Sequence, residues 1–332
     1  MKQIRVALVG CGGFAREMHL PNLQADGRYH IHAAVDSNLE AAQGIAQKAG
    51  AAYFTDDIER VLADKQVEAV FVVTPHHLHA DFSIRAAQAG KHVFCEKPMG
   101  LTEEECLAVA AAVREAGVKY TIGYNRAYAP FTRQARQLIA GLSGPVMVVH
   151  RMADWFPYNH GWLLDGSLSG GRVIGESGHA LDMICQLIGQ NPVRVYAEGG
   201  NLVGQGSLDT PDSAMITLGF ANGSSGVMYL SSIANSGYPK EEVLVSCANH
   251  TLVIYNFERM QIVSPDGKQE FNLPKISKGQ PELVSAFARA ILEDLPSPNG
   301  IESALRTSRC TLAALRSIST HEVQYLMTDS SS

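Results

Sequence analysis

The feature that most restricts the fold of this chain is a regular alternation of short apolar runs and helical patterns in its first third. Apolar runs typical of buried strands occupy residues 4–9, 31–35, 69–73, 92–95 and 120–122. Helical patterns separate several of these runs, at residues 39–49, 78–89 and 107–116. Because strand–helix–strand units build parallel sheets with helices on both faces, the alternation predicts an α/β fold with a doubly wound parallel sheet.

The pattern changes after Gly123, where a helix is expected at residues 131–140 and a strand at 146–151. Further strand-like runs, separated by turn-forming residues, lie at 193–199, 213–220, 224–230, 241–247, 251–255 and 260–264, and helical patterns follow near 282–295 and 301–322. Short strands in succession favour a mostly antiparallel sheet. We therefore predict a doubly wound domain at residues 1–122 and an α+β domain with a mostly antiparallel sheet at 123–332.

Composition excludes several classes of partner. The 332 residues include 27 Lys and Arg against 33 Asp and Glu, with a net charge of -6 and no basic stripe, which argues against nucleic acid binding. No apolar run reaches the roughly 20 residues that span a bilayer, and the N-terminus lacks a signal-peptide pattern, so we expect a cytoplasmic protein with no membrane partner. The six cysteines stand singly, which predicts reduced thiols, and Cys95 is interpreted as a buried structural thiol.

A glycine-rich turn follows the first predicted strand and opens a helix. Its residues, Gly10-Cys11-Gly12-Gly13-Phe14-Ala15, give the pattern G-x-G-x-x-A, a variant of the dinucleotide-binding fingerprint. Gly10 would permit the tight turn, Gly12 the close approach of a pyrophosphate, and Ala15 close helix packing, while free N–H groups at the helix start would face the anion. The alternative is a glycine-rich turn with no ligand.

An acidic residue supports the nucleotide interpretation. Asp36 ends the second predicted strand, where a carboxylate can accept hydrogen bonds from both ribose hydroxyls. Neither Ser37 nor Asn38 could pair with a 2'-phosphate, and Asp36 would repel one, so NAD is favoured over NADP. The alternative for Asp36 is a helix-capping or turn-forming acid.

Two further loops follow predicted parallel strands, at the edge of the sheet where such folds bind ligands. The loop Thr74-Pro75-His76-His77-Leu78-His79 is predicted to line the cofactor, and we predict no metal site because no Cys or carboxylate joins its histidines at ligand spacing. The segment Glu96-Lys97-Pro98 directs Lys97 to the same edge. An ammonium there could hydrogen-bond a substrate oxygen and favour the negative charge that develops as hydride leaves; a solvated lysine is the alternative.

The ordered series of motifs resembles the Gfo/Idh/MocA family, the glucose-fructose oxidoreductase and inositol dehydrogenase group. The matching segments are VGCGG at 9–13, Thr74-Pro75, GKHVFCEKP at 90–98, GYNR at 123–126 and GGRVIGESGHALD at 170–182. Each motif is weak alone, but their order is specific and covers almost the whole chain.

The resemblance implies a Rossmann domain followed by an α/β domain whose large open sheet often mediates dimers or tetramers, with the active site between them. It implies an NAD-dependent dehydrogenase acting on a secondary alcohol of a sugar, sugar derivative or inositol. Lys97 falls on the family's catalytic lysine, and His179 on the histidine expected to act as general base. Many family members carry Asp four residues before this histidine; here Gly175 stands there, and Glu176 is assigned a supporting role.

The predicted site residues fall into three groups: catalytic, cofactor-binding and substrate-binding. The catalytic group is Lys97, His179 and Glu176. The predicted cofactor-binding residues are Gly10, Gly12, Gly13, Phe14, Ala15, Asp36, Ser37, Thr74, Pro75, His76, His79, Glu96, Lys97 and Asn125. The predicted substrate-binding residues are Lys97, Tyr124, Arg126, Asp154, His160, Trp162, Glu176 and His179. The loop at 154–162 offers aromatic faces and polar tips suited to a polyol, and a hinge or packing role remains the alternative for residues 124–126.

Two other functions are compatible with the same motifs. The cofactor could be retained through a redox-neutral sugar reaction such as elimination, glycoside cleavage or redox exchange. The chain could instead be a non-catalytic NAD-responsive regulator, although such a protein would need neither Lys97 nor His179.

Overall fold

The chain divides into two compact units in a computed structural model that describes residues 3–155, 161–204 and 210–326. The first unit runs to Gly123 and also contains Gln280–Leu305, while the second comprises Tyr124–Gly279 and the chain from Arg306 onward. The sequence pattern predicted a single boundary after residue 122. The structure differs because residues 280–305 return to the first unit.

The return of this segment has an apolar cause. Phe287 is fully buried, and its ring lies 5.9 Å from Phe71 and 5.8 Å from Phe94, two stacked rings of the first sheet. The Tyr29 hydroxyl donates to the Val284 carbonyl over 2.8 Å. A hydrophobic face that is distant in sequence therefore completes the core of the first unit, and no local pattern marks this.

The first unit contains a six-stranded parallel sheet in the order β3-β2-β1-β4-β5-β6, which confirms the predicted doubly wound fold. Its strands are β1 Ile4–Val9, β2 Tyr29–Val35, β3 Tyr53–Thr55, β4 Ala69–Val72, β5 His92–Cys95 and β6 Tyr120–Ile122. Its helices are α1 Leu20–Ala25, α2 Leu39–Ala49, α3 Ile58–Ala63, α4 His79–Gln88, α5 Glu103–Ala116 and α9 Gln280–Leu292. The short elements β3 and α3 were not predicted.

Local signals set the helix ends. Thr102 and Glu105 form a capping box: each side chain accepts a hydrogen bond from the other residue's backbone N–H. Gly117 ends α5 in the left-handed conformation, with φ 64°.

Cys95, at the end of β5, is fully buried, and burial raises the pKa of its thiol to about 12. This agrees with an inert structural thiol.

The second unit contains a nine-stranded sheet in the order β14-β13-β12-β11-β7-β10-β9-β8-β15. Its strands are β7 Val146–Ala153, β8 Pro192–Gly200, β9 Ser213–Phe220, β10 Ser225–Ser231, β11 Glu241–Cys247, β12 His250–Tyr255, β13 Arg259–Ser264, β14 Gly267–Asn272 and β15 Gln324–Tyr325. The β7–β10 pair is parallel, and the other neighbours are antiparallel. The predicted mostly antiparallel sheet is confirmed.

Helices cover one face of this sheet. They are α6 Pro130–Ala140, α8 Gly171–Ile188 and α10 Ile301–Thr320, the last of which begins in the first unit, while the short α7 Gly166–Ser169 contacts α8. Helix α8 is buried along almost its entire length and contacts β7, β9 and β10. A Cβ at Gly226 would lie 2.3 Å from Cγ2 of Ile184, so this glycine allows close contact between α8 and β10. In the described ranges, no helix is long and apolar enough to cross a membrane.

A buried charged cluster ties the start of β11 to the segment that follows the first unit. The carboxylate of Glu241, which is fully buried, lies 3.0 Å from the Arg126 guanidinium, 3.3 Å from His150 Nε2 and 2.6 Å from Lys278 Nζ. Burial acts to raise the pKa of Glu241, but the charge of Arg126 and the contacts from His150 and Lys278 outweigh it. The pKa therefore lies well below its usual value of 4.5.

We predict that Glu241→Gln destabilises the protein by about 3 kcal/mol at pH 7, because it leaves buried cations without their counter-charge. A folded-state pKa below that of the unfolded chain contributes stability above about pH 4.5 that is lost as the pH falls further. The difference in unfolding free energy between wild type and variant should therefore become smaller below pH 4.5. Urea unfolding midpoints at several pH values test this. Glu270→Gln, on exposed β14, is the control. A loss of unfolding free energy in Glu241→Gln that does not change with pH would contradict the prediction.

Candidate active site

The glycine-rich turn connects β1 to a helical segment whose first turn, Ala15–His19, is a π-helix. Gly10 has φ 91°, and a Cβ there would lie 2.3 Å from the Val73 carbonyl oxygen, so only glycine is compatible with this position. A Cβ at Gly12 would meet no described atom within 4 Å. Ala15 is fully buried, as its predicted packing role requires. The turn thus combines a closed inner side with an open outer side that suits a pyrophosphate.

Asp36 holds this turn directly. Its Oδ2 accepts a hydrogen bond from Cys11 N over 2.7 Å, and its Oδ1 accepts one from Asn38 N over 2.8 Å. Each carboxylate oxygen can accept more than one hydrogen bond, so capacity for ribose hydroxyls remains. Asp36 therefore has the turn-forming role that was the alternative, and this role is compatible with the nucleotide-binding one. Ser37 and Phe14 are exposed beside the turn.

The loop after β4 contains one polar group suited to a ligand and one that is already engaged. Thr74 Oγ1 is buried and has no hydrogen-bond partner among the described residues. His79 is buried, with Nδ1 2.7 Å from the Pro98 carbonyl and Nε2 2.8 Å from the Thr74 carbonyl. The prediction that His79 contacts the cofactor is therefore corrected: its ring joins two loops at the edge of the sheet. His76 is buried beside it, with ring centroids 5.6 Å apart.

Glu96 connects the predicted catalytic lysine to the glycine-rich turn. Its Oε1 lies 2.8 Å from His19 Nε2, and its Oε2 accepts a hydrogen bond from Lys97 N over 3.3 Å. Burial acts to raise the pKa of Glu96, but the His19 contact outweighs it and the pKa is lowered. A Cβ at Gly123 would lie 2.8 Å from Glu96 Oε2. Glu96, predicted to bind the cofactor, thus positions the half-buried Lys97 through its backbone.

Helix α8 carries the predicted general base, His179, and the predicted supporting glutamate, Glu176. Glu176 and His179 stand three positions apart, a spacing that makes them neighbours on a helix surface. The Tyr124 ring lies edge-on to His179, with centroids 6.2 Å apart, and both residues are buried. Gly178 permits this contact, because a Cβ there would lie 2.4 Å from Cε1 of Tyr124. Asp182, one turn further on, accepts hydrogen bonds from Arg306 and Gln186, which gives it a structural role.

A mixed group of charges surrounds Glu176, and the sequence revealed only part of it. Lys240 Nζ lies 2.9 Å from Asp154 Oδ2 and 3.9 Å from Glu176 Oε2. Arg172, buried beneath, pairs with Asp154 and donates to Ser232 Oγ over 2.6 Å. Arg172 lies inside a recognised motif, but nothing in the pattern gave it a role. Lys240 is distant in sequence and carried no signal.

Two predictions for the segment after Gly123 need correction. Arg126 is buried, donates to Glu241, and donates to Asn125 Oδ1 over 3.0 Å. Asn125 in turn donates to the Lys278 carbonyl over 2.6 Å. These bonds favour the packing alternative over direct contact of Arg126 with substrate or of Asn125 with cofactor.

The predicted aromatic substrate loop is described only in part. Trp162 is half-buried in a short 3-10 turn, Gly161–Leu164. His160 lies outside the described residues, as does the rest of segment 156–160.

We predict opposite effects for two glycine-to-alanine changes in helix interiors. Gly178→Ala should destabilise by roughly 1–3 kcal/mol, because the new methyl group displaces the Tyr124 ring. Gly44→Ala in α2 meets open space and should stabilise by about 0.5–1 kcal/mol. Urea unfolding midpoints of both variants provide the measurement. Equal shifts in the same direction would show that the Tyr124 contact is unimportant.

Comparison with known proteins finds one family for both parts of the chain. The NAD-binding Rossmann fold of the GFO/IDH/MocA oxidoreductase family matches residues 4–124. The C-terminal domain of the same family matches residues 132–254. Levoglucosan dehydrogenase of Pseudarthrobacter phenanthrenivorans is 28% identical, and the match covers 68% of this chain and 67% of that protein. A 2,7-anhydro-N-acetylneuraminate hydratase of Mediterraneibacter gnavus is 29% identical, and the match covers 81% of this chain and 72% of that protein.

A solved structure agrees in fold. The aldose-aldose oxidoreductase from Caulobacter crescentus, crystallised with glycerol, superposes with a TM-score of 0.89 at 24% sequence identity. The match covers 98% of this chain and 100% of that one. At this identity the likeness establishes the architecture alone.

Proposed function

Because the chain belongs to the Gfo/Idh/MocA family of oxidoreductases with an NAD-binding Rossmann domain, we propose that it is an NAD-dependent dehydrogenase of a sugar, sugar derivative or inositol. The observation that carries this proposal is the Glu96 contact, which joins Lys97 to the helix that leaves the glycine-rich turn. A lysine held in this way beside a nucleotide turn suits hydride chemistry better than simple binding.

The proposed reaction is oxidation of a secondary alcohol, in which NAD supplies the hydride acceptor. Lys97 Nζ donates a hydrogen bond to the substrate oxygen and favours the negative charge that develops there as the C–H hydride leaves. The His179 imidazole takes the hydroxyl proton as general base. Glu176 stays an acceptor that orients His179 or the substrate, consistent with Lys240 beside it. In the reverse direction, His179 returns the proton.

The cofactor preference follows from charge. Asp36 stands where a 2'-phosphate of NADP would come, and its carboxylate is fixed by two backbone N–H groups. Repulsion there favours NAD. Pro75 and the unpartnered Thr74 hydroxyl, together with Phe14 beside the turn, are proposed to line the remainder of the nucleotide.

A second candidate retains the cofactor throughout. The hydratase relative indicates that this scaffold also supports reactions without net oxidation. In such a reaction the same lysine and histidine would act, but reduced cofactor would not leave the enzyme. A purely regulatory NAD-binding protein is disfavoured, because it has no use for Lys97 or His179.

We predict that the purified protein reduces NAD in the presence of at least one substrate from a panel of aldoses, anhydrosugars, glycosides and inositols. Lys97→Ala and His179→Ala should each lower kcat by roughly 100-fold or more, since each removes a group that acts in the transition state. Absorbance of reduced nicotinamide is the measurement, and Lys268→Ala, on exposed β14, is the control. Full activity in both site variants would refute the mechanism. NAD binding without release of reduced cofactor would favour the second candidate.

The chain is also proposed to form a homodimer or homotetramer through the sheet of the second unit. On the face opposite α8, Leu244, Val149 and Val227 stand side by side on β11, β7 and β10. Met147 and Met215 on the same face are 62% and 56% exposed. Exposed apolar side chains in a continuous row across a sheet are typical of an interface rather than of a solvated surface.

We predict that Val149→Lys combined with Leu244→Lys yields a monomer. Two buried ammonium groups would outweigh the apolar contact that closes the interface. Light scattering after size-exclusion chromatography measures the mass, and Gln47→Lys on α2 of the first unit is the matched control. An unchanged mass in the double variant would place the interface elsewhere.

A further inference from the structure

The charges around Glu176 bear on what kind of substrate the proposed dehydrogenase accepts. Lys240 precedes β11 and Asp154 follows β7, and the Ala153 N–H donates to the Lys240 carbonyl over 2.9 Å. This pairing fixes the lysine beside the aspartate. Lys240 Nζ then lies 2.9 Å from Asp154 and 3.9 Å from Glu176, so one ammonium bridges two carboxylates.

The second cation of this group is withdrawn from solvent. The Arg172 side chain is only 2% exposed, whereas those of Lys240, Glu176 and Asp154 are 34%, 23% and 20% exposed. Arg172 pairs with Asp154 and donates to Ser232 Oγ. The three accessible groups therefore carry a formal charge of -1, and buried Arg172 brings the total to zero. A ligand would meet two carboxylates and one ammonium that is already neutralised.

Three other cations of the second unit are also paired with acids. Arg126 and Lys278 pair with Glu241, and Arg306 pairs with Asp182. A carboxylate on a substrate is typically bound by a bidentate arginine or a lysine with charge to spare. Arg136 instead donates to Gln186 Oε1. Arg151 donates to the Pro239 carbonyl and stands on the face of β7 opposite α8. Lys97, in the first unit, is assigned to the reacting oxygen.

From this arrangement we infer that the enzyme selects uncharged polyols and discriminates against sugar acids. The inference rests on the proposed function and names its substrate class. Glu176 and Asp154 accept hydrogen bonds from sugar hydroxyls, and the ammonium of Lys240 donates to a sugar oxygen while holding both carboxylates in place. A substrate carboxylate would instead face the like charges of Glu176 and Asp154, beside an ammonium that both of them already engage, which costs affinity. Lys240 is thus a positioning residue that also sets the charge of the site.

The test compares sugars that differ only in one carboxylate: glucose with glucuronate, and galactose with galacturonate. Binding to the full-length protein loaded with NAD is measured by calorimetry, and turnover by reduced nicotinamide. We expect the neutral member of at least one pair to be favoured by about tenfold or more in Kd and kcat/KM. Glu176→Gln should narrow this ratio by removing a negative charge, and Lys240→Gln should widen it. Lys240→Arg should restore the wild-type ratio, and Lys268→Gln, on exposed β14, should not change it.

The outcomes separate the two proposals. Preference for the acids, with reduction of NAD, would overturn this inference and leave the dehydrogenase standing. Binding of the neutral sugars without reduced cofactor would support this inference and count against the dehydrogenase. A neutral-to-acid ratio that is the same in wild type, Glu176→Gln and Lys240→Gln would show that these charges do not select the substrate. Failure of these sugars, and of the anhydrosugars, glycosides and inositols of the activity panel, to bind would refute both proposals.

Discussion

The contact on which the first unit depends is the bond between the buried carboxylate of Glu96 and His19. A carboxylate without partners would be too costly to bury, so His19 and the Lys97 N–H must stay in place. His19 belongs to the helical turn that leaves the glycine-rich loop, and Lys97 follows β5. One carboxylate therefore sets the position of the lysine relative to the nucleotide turn, and Gly123 is needed because no side chain fits beside it.

In the second unit, too, buried charged groups need partners of opposite charge, and there they form larger clusters. Helix α8 is almost entirely buried and yet carries Arg172, Glu176, His179 and Asp182. Each of the ionised groups described there has a partner of opposite charge, as burial demands. The consequence for function is a proposed substrate surface whose polarity comes from paired charges rather than from an excess of one sign. Such a surface suits hydroxyl groups, which both donate and accept hydrogen bonds.

Local chemistry explains which predictions were accurate. The strand and helix patterns that predict the parallel sheet, the capping box at Thr102 and the tight turn at Gly10 depend on neighbouring residues, so the sequence is sufficient to predict them. His79 and Arg126 were predicted to contact ligands because of their motifs, but their side chains are engaged by Pro98 and Glu241. A motif identifies a position on the chain, whereas the direction of a side chain depends on what packs against it.

By itself, the sequence determined the two kinds of sheet, the nucleotide turn with its acidic residue, and the family. These follow from hydrophobic periodicity and from glycine and proline at fixed spacings, which act over a few residues. Only the tertiary structure decided that α9 returns to the first unit and that Lys240 lies beside Glu176 and Asp154. Both are contacts between residues far apart in the chain. Their energy comes from burial and charge pairing in three dimensions, which no local pattern encodes.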